Sequence, residues 1–308
     1  MRSIIHDASF YSVYFAPRGR ERLLFLGEQL SYRHLTFDDR LIGIIGDAGS
    51  GKSSLIKGMF PGLELVNDDE GFNSHKVLRL TDGDDSIKET STFHLDMRFQ
   101  TAFTQMHEIV SFVRNALKNN RRVIIEHFDI LYPVLKMNAE IMIGIGEEII
   151  VTRPGIFGPL PGDIHDIVFH SLKYRKMVHS AEDITTMILE RDYNMSHTWK
   201  NSDVRRGFVL VFDKKPEIDL AELEKKIRDI IDLNLDVAYY DENHIRFGNY
   251  EPVKCNGPRI HISNTAEIEN FRLLKDFTYD RLNETYSLVG LVGWDHQDIE
   301  DLNKPRIF

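Results

Sequence analysis

The amino-acid sequence predicts two domains: an α/β domain with a parallel sheet and helices on both faces, followed by an α+β domain with an antiparallel sheet. In the first half, short and fully apolar segments alternate with helical ones, a pattern typical of parallel strands buried on both sides. In the second half, strand-like segments follow one another with few helices between them. The tract 153–163 holds three prolines and three glycines, which predicts domains at 1–160 and 161–308. The alternative is a long loop within one domain.

The predicted elements of the first half follow from their periodicity and apolar content. Segment 18–35 is amphipathic with helical spacing, and segment 41–45 is a continuous apolar run of strand length. The predicted helices are 18–35, 53–59 and 106–118, and the predicted strands are 41–45, 63–66, 123–125, 141–145 and 149–152.

The second half begins with two predicted helices, or one long broken helix, at 165–189. A further helix at 219–232 has Asp219 as its N-cap, Glu222 three residues later and a stripe of leucines and isoleucines that predicts its buried face. The predicted strands are 208–212, 237–240, 244–247, 259–262 and 286–289.

Composition and charge restrict the classes of partner. The chain has 308 residues, a net charge of -10 and a single cysteine, Cys255, which excludes an internal disulfide. The acidic balance argues against loose binding of DNA or of an anionic membrane by the whole surface. No apolar run approaches the roughly 20 residues that cross a bilayer, and Asp7 interrupts any apolar core of a signal peptide. We therefore expect a cytoplasmic protein without membrane segments.

A glycine-rich motif lies between the predicted strand 41–45 and the predicted helix 53–59. Residues 46–53 read Gly-Asp-Ala-Gly-Ser-Gly-Lys-Ser and fit the pattern G-x-x-x-x-G-K-[ST] in its required strand–loop–helix context. In this motif, called a P-loop, backbone N–H groups and the helix N-terminus surround the phosphates of a nucleotide. It predicts ATP and Mg²⁺ as cofactors; the alternative is a strand–helix turn without a ligand. The predicted nucleotide-binding residues are Gly46, Asp47, Ala48, Gly49, Ser50, Gly51, Lys52, Ser53 and Ser54.

Lys52 and several acidic residues are the predicted catalytic groups. Lys52 would reach the β- and γ-phosphates, and the Ser53 hydroxyl would bind Mg²⁺. Glu126 ends an apolar run, where a carboxylate could orient Mg²⁺ through water or orient an attacking water. Asp68 or Asp69 follows the strand after the motif and could accept the proton of a substrate hydroxyl; the alternative is a hydrophilic turn.

Two arginines are further candidates for contact with phosphate. His94, Asp96 and Arg98 alternate along a predicted strand, so their side chains would share one face. From that face, Arg98 could stabilise a transferred phosphoryl group. Arg153 ends the last predicted strand of this domain and would contact either the nucleotide or only its own domain.

Two histidine-containing segments stand out in the second half. Residues 179–185 read HSAEDIT, and residues 255–271 read CNGPRIHISNTAEIENF. The first resembles the H-T-A-T-H-L-L helix, and the second the C-G-G-T-H-V-x-N-T-G-E-I-G-x-F segment, of the editing domains of alanyl-tRNA synthetases. The resemblance covers roughly residues 165 to 293. It implies the α+β fold of this module, the second additional domain that alanyl- and threonyl-tRNA synthetases share.

The resemblance also implies a possible zinc site. In that family two histidines, a cysteine and a third histidine bind a zinc ion that takes part in hydrolysing mischarged tRNA. His179 matches the first ligand and His261 the last, whereas Asp183 stands in place of the second histidine. Cys255 lies two residues further from His261 than the family motif has it. A carboxylate can also bind zinc, so all four residues are candidate ligands; the alternative is a retained fold whose metal site is lost.

The complete arrangement resembles bacterial alanine-tRNA synthetase second-additional-domain proteins, including the segments VYFAPRGRERLLFLGEQL and IGIGEEIIVTRPGIFGP. The same module also occurs fused to uridine-kinase-like P-loop domains. These resemblances imply an ATP- and Mg²⁺-dependent phosphotransferase of the nucleoside-kinase type, with a small molecule or the end of a tRNA as a further partner. The intact motif beside an altered zinc quartet favours this function. The alternatives are a zinc-dependent hydrolase that edits mischarged tRNA, and a regulatory nucleotide-binding protein.

Overall fold

The computed structural model of the chain describes residues 11–63, 92–255, 257, 260–293 and 302–303. Within these ranges, residues up to 170, except 17–19, form a first compact unit, and residues 17–19 with those from 171 onward form a second. None of the described helices is both long enough and apolar enough to span a bilayer.

A mixed sheet of six described strands forms the centre of the first unit. Its strands are β1 (Tyr11–Phe15), β2 (Leu41–Gly46), β3 (Thr92–Asp96), β4 (Arg122–Glu126), β5 (Ile141–Ile145) and β6 (Glu148–Thr152), in the order β1-β6-β5-β2-β4-β3. Strands β5, β2, β4 and β3 run parallel, as predicted. The prediction is wrong at the other edge, where β6 runs antiparallel to both of its neighbours, β5 and β1. Only residues 146 and 147 join β5 to β6, and so short a connection makes a hairpin rather than a parallel crossover.

Helices cover both faces of this sheet, as the sequence predicts. They are α1 (Arg20–His34), α2 (Lys52–Met59), α3 (Met97–Gln100), α4 (Met106–Lys118), α5 (Phe128–Leu135) and the first part of α6 (Pro161–Arg191). Along β2, Ile42 and Ile44 join the core that includes α1 and α2, whereas Leu41 and Ile45 join the core that includes α4 and α5. This division follows from the alternation of side chains across a strand. Strand β2 is therefore held from both sides and presents its last residue, Gly46, at the carboxyl edge of the sheet.

Arg153 connects the end of β6 with the loop that precedes β2. Its guanidinium donates hydrogen bonds to the two Asp39 carboxylate oxygens at 2.7 and 2.6 Å, and another to the His34 carbonyl. Burial alone raises the pKa of the Asp39 carboxyl, but the bonds from Arg153 and from the Thr36 backbone outweigh it, so this pKa lies below its ordinary value. Arg153 was predicted to contact either the nucleotide or only its own domain, and these contacts correspond to the second role.

We expect Asp39→Asn to destabilise the first unit by about 3 kcal/mol, because it leaves a guanidinium that is only 10% exposed without its counter-charge. Since the folded-state pKa of Asp39 is lowered, its stabilisation is present above the unfolded pKa of about 3.9 and is lost as the pH falls through the folded value. Urea denaturation at pH 7 and at decreasing pH, with the exposed Asp38→Asn as control, measures both effects. Equal midpoints for the two variants at pH 7 would contradict this assignment.

The second unit contains the antiparallel strands that the sequence predicts. Its elements after α6 are β7 (Lys200–Val204), β8 (Gly207–Phe212), α7 (Leu220–Asp232), β9 (Val237–Tyr239), β10 (His244–Phe247), β11 (Val253–Lys254), a 3₁₀ turn (Thr265–Glu267), β12 (Arg272–Leu273), β13 (Thr278–Asp280) and β14 (Thr285–Leu291). The described strands pair in the orders β12-β14-β8-β7, with β13 on β14, and β11-β10-β9. All these pairs are antiparallel.

The predicted strand 259–262 is not formed at residues 260–262, and residue 259 lies outside the described ranges. Backbone groups of this segment bind side chains of α6 instead of a neighbouring strand. The Ile260 carbonyl lies 3.1 Å from His179 Nδ1, and the Ile262 N–H donates to Ser180 Oγ at 3.3 Å. Segment 260–262 is thereby held against the helix, which is continuous over the region predicted as two helices or one broken one.

Candidate functional site

The loop between β2 and α2 has a conformation that depends on its glycines. Gly49 and Gly51 have φ values of 74° and 94°, in the left-handed region that residues with a Cβ atom rarely adopt. The Lys52 ammonium donates a hydrogen bond to the Asp47 carbonyl at 2.9 Å, and the Ser50 N–H donates to the same oxygen at 3.2 Å. Lys52 is the first residue of α2, where helical N–H groups have no partner within the helix. An ammonium group is therefore folded back over the loop at the N-terminus of α2.

Glu126 lies beside this lysine. Strand β4 is the parallel neighbour of β2, and its last residue, Glu126, pairs with Ile44, two residues before the end of β2. Its Oε2 atom is 3.5 Å from Lys52 Nζ, and its Oε1 atom is 3.1 Å from His94 Nε2. Burial alone raises the pKa of Glu126, but the hydrogen bond with His94 and the charge of Lys52 outweigh it and lower the net pKa. Glu126 is thus a buried, ionised carboxylate next to the loop.

Arg98 also reaches the loop, although not from the predicted strand. Strand β3 ends at Asp96, whose carboxylate accepts hydrogen bonds from the N–H groups of Arg98 and Phe99 and so begins α3. The prediction that Arg98 shares a strand face with His94 and Asp96 is therefore wrong. From α3, Arg98 Nη1 lies 3.3 Å from the Asp47 carboxylate, and the arginine side chain is 46% exposed.

A buried histidine, His127, also lies near the loop, whereas two of the predicted acids cannot be placed. Asp68 and Asp69 lie outside the described residues. A histidine that sequence reasoning missed, His127, directly follows Glu126 and is 3% exposed. Burial, and then the charges of Lys52 and Arg98, lower the pKa of His127 to about 4, so its ring is neutral at pH 7. The sequence signal for a functional role of His127 was its position directly after Glu126, a carboxylate at the end of an apolar strand.

A cluster of four potential metal ligands lies in the second unit. His179 and Asp183 are one turn apart on α6, Cys255 directly follows β11, and His261 lies in segment 260–262. One ligand atom from each lies within 4.8 Å of the others. The Cys255 sulfur is 3.5 Å from His179 Nε2 and 3.6 Å from His261 Nε2. The Asp183 Oδ2 atom is 2.9 Å from His261 Nε2 and 3.8 Å from His179 Nε2.

These separations fit a tetrahedral zinc ion. With Zn–S bonds of about 2.3 Å and Zn–N or Zn–O bonds of about 2.0 Å, a regular tetrahedron has edges of about 3.5 Å from sulfur to nitrogen and about 3.3 Å from nitrogen to oxygen. The two distances from Cys255 match the first edge, and the two from Asp183 bracket the second. The altered positions of the predicted quartet are therefore brought together by the fold.

The surroundings of the two histidines suit metal binding. His179 Nδ1 lies 3.1 Å from the Ile260 carbonyl, to which it can donate, leaving Nε2 as the lone-pair donor toward the cluster. The pKa of His179 is lowered by burial and then by the charge of His261, so the ring is neutral, as a ligand must be. Burial, and then Asp183, raise the pKa of Cys255, which holds it as a thiol until a cation is bound. The four side chains thus fit a zinc ion.

Buried ion pairs hold the helix that carries these ligands. Arg18 Nε lies 2.5 Å from the Glu182 carboxylate, and Arg18 Nη2 lies 2.9 Å from the Asp203 carboxylate. Glu182 directly precedes the ligand Asp183 on α6. Sequence reasoning missed this role of Arg18, because a lone arginine before a helix carries no signal of a partner about 160 residues later in the chain.

A cavity of about 270 Å³ lies next to the cluster in the second unit. It is lined by His261 together with Lys176, Tyr239, Ser263 and four further residues. The ring centroids of Tyr239 and His261 are 5.8 Å apart, in an edge-to-face arrangement. The cavity therefore brings a cation, a hydroxyl and an aromatic ring close to one potential metal ligand.

Two sets of residues are thus the candidate sites of the chain. One is the loop of residues 46–53 with Glu126 and Arg98, and the other is the cluster of His179, Asp183, Cys255 and His261 with its cavity. Compared with models of known protein families and with curated proteins, the chain gives no significant match to either.

Proposed function

We propose that the first unit binds ATP with Mg²⁺ and transfers its γ-phosphoryl group to a hydroxyl of a small molecule. The observation that carries this proposal is the position of Lys52. Its ammonium is bound to the Asp47 carbonyl at 2.9 Å, inside a loop with two left-handed glycines, and is 3.5 Å from an ionised carboxylate. This arrangement provides a positive charge and free helical N–H groups at one place, which suits a polyphosphate.

Each residue of this site has a role that follows from its position. We propose that the N–H groups of the loop and of the start of α2 surround the phosphates. Ala48 and Ser50 would exchange their present acceptors on Asp47, and Lys52 would exchange the Asp47 carbonyl, for phosphate oxygens. Mg²⁺, when bound, neutralises phosphate charge, with the Ser53 hydroxyl as its ligand and Glu126 orienting it through water. Arg98, which is half exposed, stabilises charge on the transferred group.

The proton of the acceptor hydroxyl goes to an acidic side chain, for which we propose Asp68 or Asp69 from their place in the sequence after the glycine-rich motif. Because the sequence resembles proteins with uridine-kinase-like P-loop domains, we propose a nucleoside or another small polyol as the acceptor. The regulatory alternative predicts nucleotide binding of the same strength with negligible turnover.

The test of this function is an ATP-consumption screen with the purified chain against nucleosides, amino acids and tRNA. We expect ADP to appear together with a phosphorylated acceptor in one of these groups. Tight ATP binding without turnover on any acceptor would instead favour the regulatory function. Absence of ATP and GTP binding at millimolar nucleotide would refute both.

A second candidate function is supported by the converging ligands of the second unit. We propose that His179, Asp183, Cys255 and His261 hold a zinc ion, which when bound polarises water and carbonyl groups for hydrolysis. Hydrolysis requires an open metal position, and four protein ligands fill a tetrahedral zinc. We propose Asp183 as the ligand that exchanges with water, because it is the oxygen donor beside two histidines and a cysteine.

The cavity beside His261 is the place for the substrate of such a hydrolase. Lys176 can bind a carboxylate or a phosphate there, and Ser263, whose hydroxyl donates to Glu267, also lines the cavity. An aminoacylated tRNA end has an ester bond and, before its last nucleoside, a phosphodiester group that Lys176 could bind. We expect slow release of amino acid from mischarged alanine tRNA; no release by the zinc-loaded chain, at any pH from 6 to 9, would leave the metal with a structural role only.

A further inference from the structure

A second cluster of potential metal ligands lies in the first unit, at the carboxyl ends of β3 and β4. Asp96 is the last residue of β3 and Glu126 the last of β4, and they are partners in the parallel register. His127 follows Glu126, and one ligand atom of each of the three lies within 4.8 Å of the others. The exposed fractions of Asp96, Glu126 and His127 are 9%, 1% and 3%. Three donors of two chemical types therefore meet in a nearly buried place.

The backbone at His127 accounts for this meeting. Successive side chains of a continuing strand point to opposite faces, which would direct His127 away from Glu126. Instead, His127 has a φ of 56°, in the left-handed region, and its ring joins the two carboxylates. The ring makes no hydrogen bond with any residue in the part of the chain that the structure describes. Its nitrogens are not among the fully buried side-chain atoms without a partner, so the ring keeps access to solvent and is available to a bound ion.

Charges of both signs surround the cluster. Lys52 and Arg98 contribute two positive charges, and Asp47, Asp96 and Glu126 contribute three negative ones. Lys52 is bound to the Asp47 carbonyl at 2.9 Å and lies 3.5 Å from Glu126, a distance beyond a close hydrogen bond. Direct bonds to the two carboxylates would therefore have to offset the repulsion of a metal ion by Lys52 and Arg98.

We propose that Asp96, Glu126 and His127 bind a divalent transition-metal ion. An imidazole nitrogen with two carboxylate oxygens suits Mn²⁺, Fe²⁺ or Zn²⁺ better than Mg²⁺, which prefers oxygen ligands and keeps several waters. Three protein ligands leave coordination positions open for water or for a phosphate oxygen. A contact of the ion with nucleotide phosphate rests on the proposed phosphotransferase function, whereas binding of the ion itself does not.

The test is a titration of the full chain with Mn²⁺ in the absence of nucleotide, in which the electron paramagnetic resonance of free Mn²⁺ is followed. A His261→Ala background removes the contribution of the cluster in the second unit. His127→Gly deletes the imidazole while fitting the left-handed backbone, and His107→Ala, an exposed histidine of α4, is its matched control. Lys52→Ala separates the ion site from the nucleotide site.

We expect one Mn²⁺ per chain, retained in a tenfold excess of Mg²⁺, with an affinity that His127→Gly lowers at least about tenfold and His107→Ala leaves unchanged. Asp96→Asn should weaken binding in the same way. Lys52→Ala should keep Mn²⁺ bound even where it removes nucleotide binding, so failure of one proposal does not imply failure of the other. Equal Mn²⁺ affinity in His127→Gly, displacement of Mn²⁺ by an equal concentration of Mg²⁺, or no bound Mn²⁺ would overturn the proposal.

Discussion

Replacing Lys52 with alanine is expected to weaken ATP binding at least about 100-fold, which corresponds to about 2.8 kcal/mol. The ammonium is positioned by the Asp47 carbonyl at 2.9 Å and faces the loop in which the phosphates would lie. Hydrogen bonds from a charged donor contribute about 1.5–3 kcal/mol each, and Lys52 would make at least two of them to the β- and γ-phosphates. Isothermal titration with ATP and Mg²⁺ measures the change.

The matched control is Lys57→Ala, because Lys57 is an exposed lysine on the same helix, α2, in its last turn. It removes the same charge from the chain and should leave the affinity for ATP within about twofold of the original, as exposed charges contribute little at this distance. Circular dichroism checks that both variants are folded. If Lys52→Ala and Lys57→Ala bind ATP equally well, the loop does not hold the phosphates and the proposed function is wrong.

The second large effect concerns the metal content of the second unit. We expect the purified chain to carry about one zinc per molecule and His261→Ala to carry almost none, because the variant lacks one of the four donors. Removal of zinc with a chelator should lower the melting temperature of the original chain, since metal binding contributes free energy to the folded state. Elemental analysis and calorimetry measure the two quantities.

His197→Ala is the control for this experiment, because His197 is an exposed histidine of the same unit with 56% of its side chain accessible. It should keep its zinc. A second variant, Cys255→Ser, should lose most of the metal, since a serine hydroxyl is a poor ligand for zinc beside a thiolate. Zinc below one tenth of an equivalent in the original chain, even after growth and purification with added zinc, would show that the quartet has lost its metal.

The local sequence pattern was sufficient to predict the strand and the helix on either side of the loop of residues 46–53. Strand 41–45 is an unbroken apolar run, and the next residues provide glycines, a lysine and a helix start, so element type and order follow from neighbouring residues alone. The hairpin of β5 and β6 could have been recognised as well, because a two-residue connection excludes a parallel crossover. The position of Glu126 beside Lys52 then follows from the pairing of β4 with β2.

The local sequence pattern could not predict which charged side chains contact each other. Arg98 leaves the predicted strand because Asp96 caps α3, and only the folded chain shows that the arginine still reaches Asp47. Arg18 pairs with Glu182, which is 164 residues away along the chain, and the separation is not encoded in any local period. His127 joins Asp96 and Glu126 through a single left-handed residue that no propensity predicts.

Taken by itself, the sequence determined the order of helices and strands, the glycine-rich loop between β2 and α2, and the four residues proposed as ligands in the second half. The tertiary structure decided that these four residues meet. Cys255 lies two positions further from His261 than the family motif has it, yet directly after β11 its sulfur is still 3.5 Å from His179 Nε2. It also decided which strands run antiparallel and which carboxylates lie beside Lys52 and His127. The physical reason is that helices and strands arise from neighbours in the chain, whereas ligand clusters and ion pairs depend on how distant elements pack.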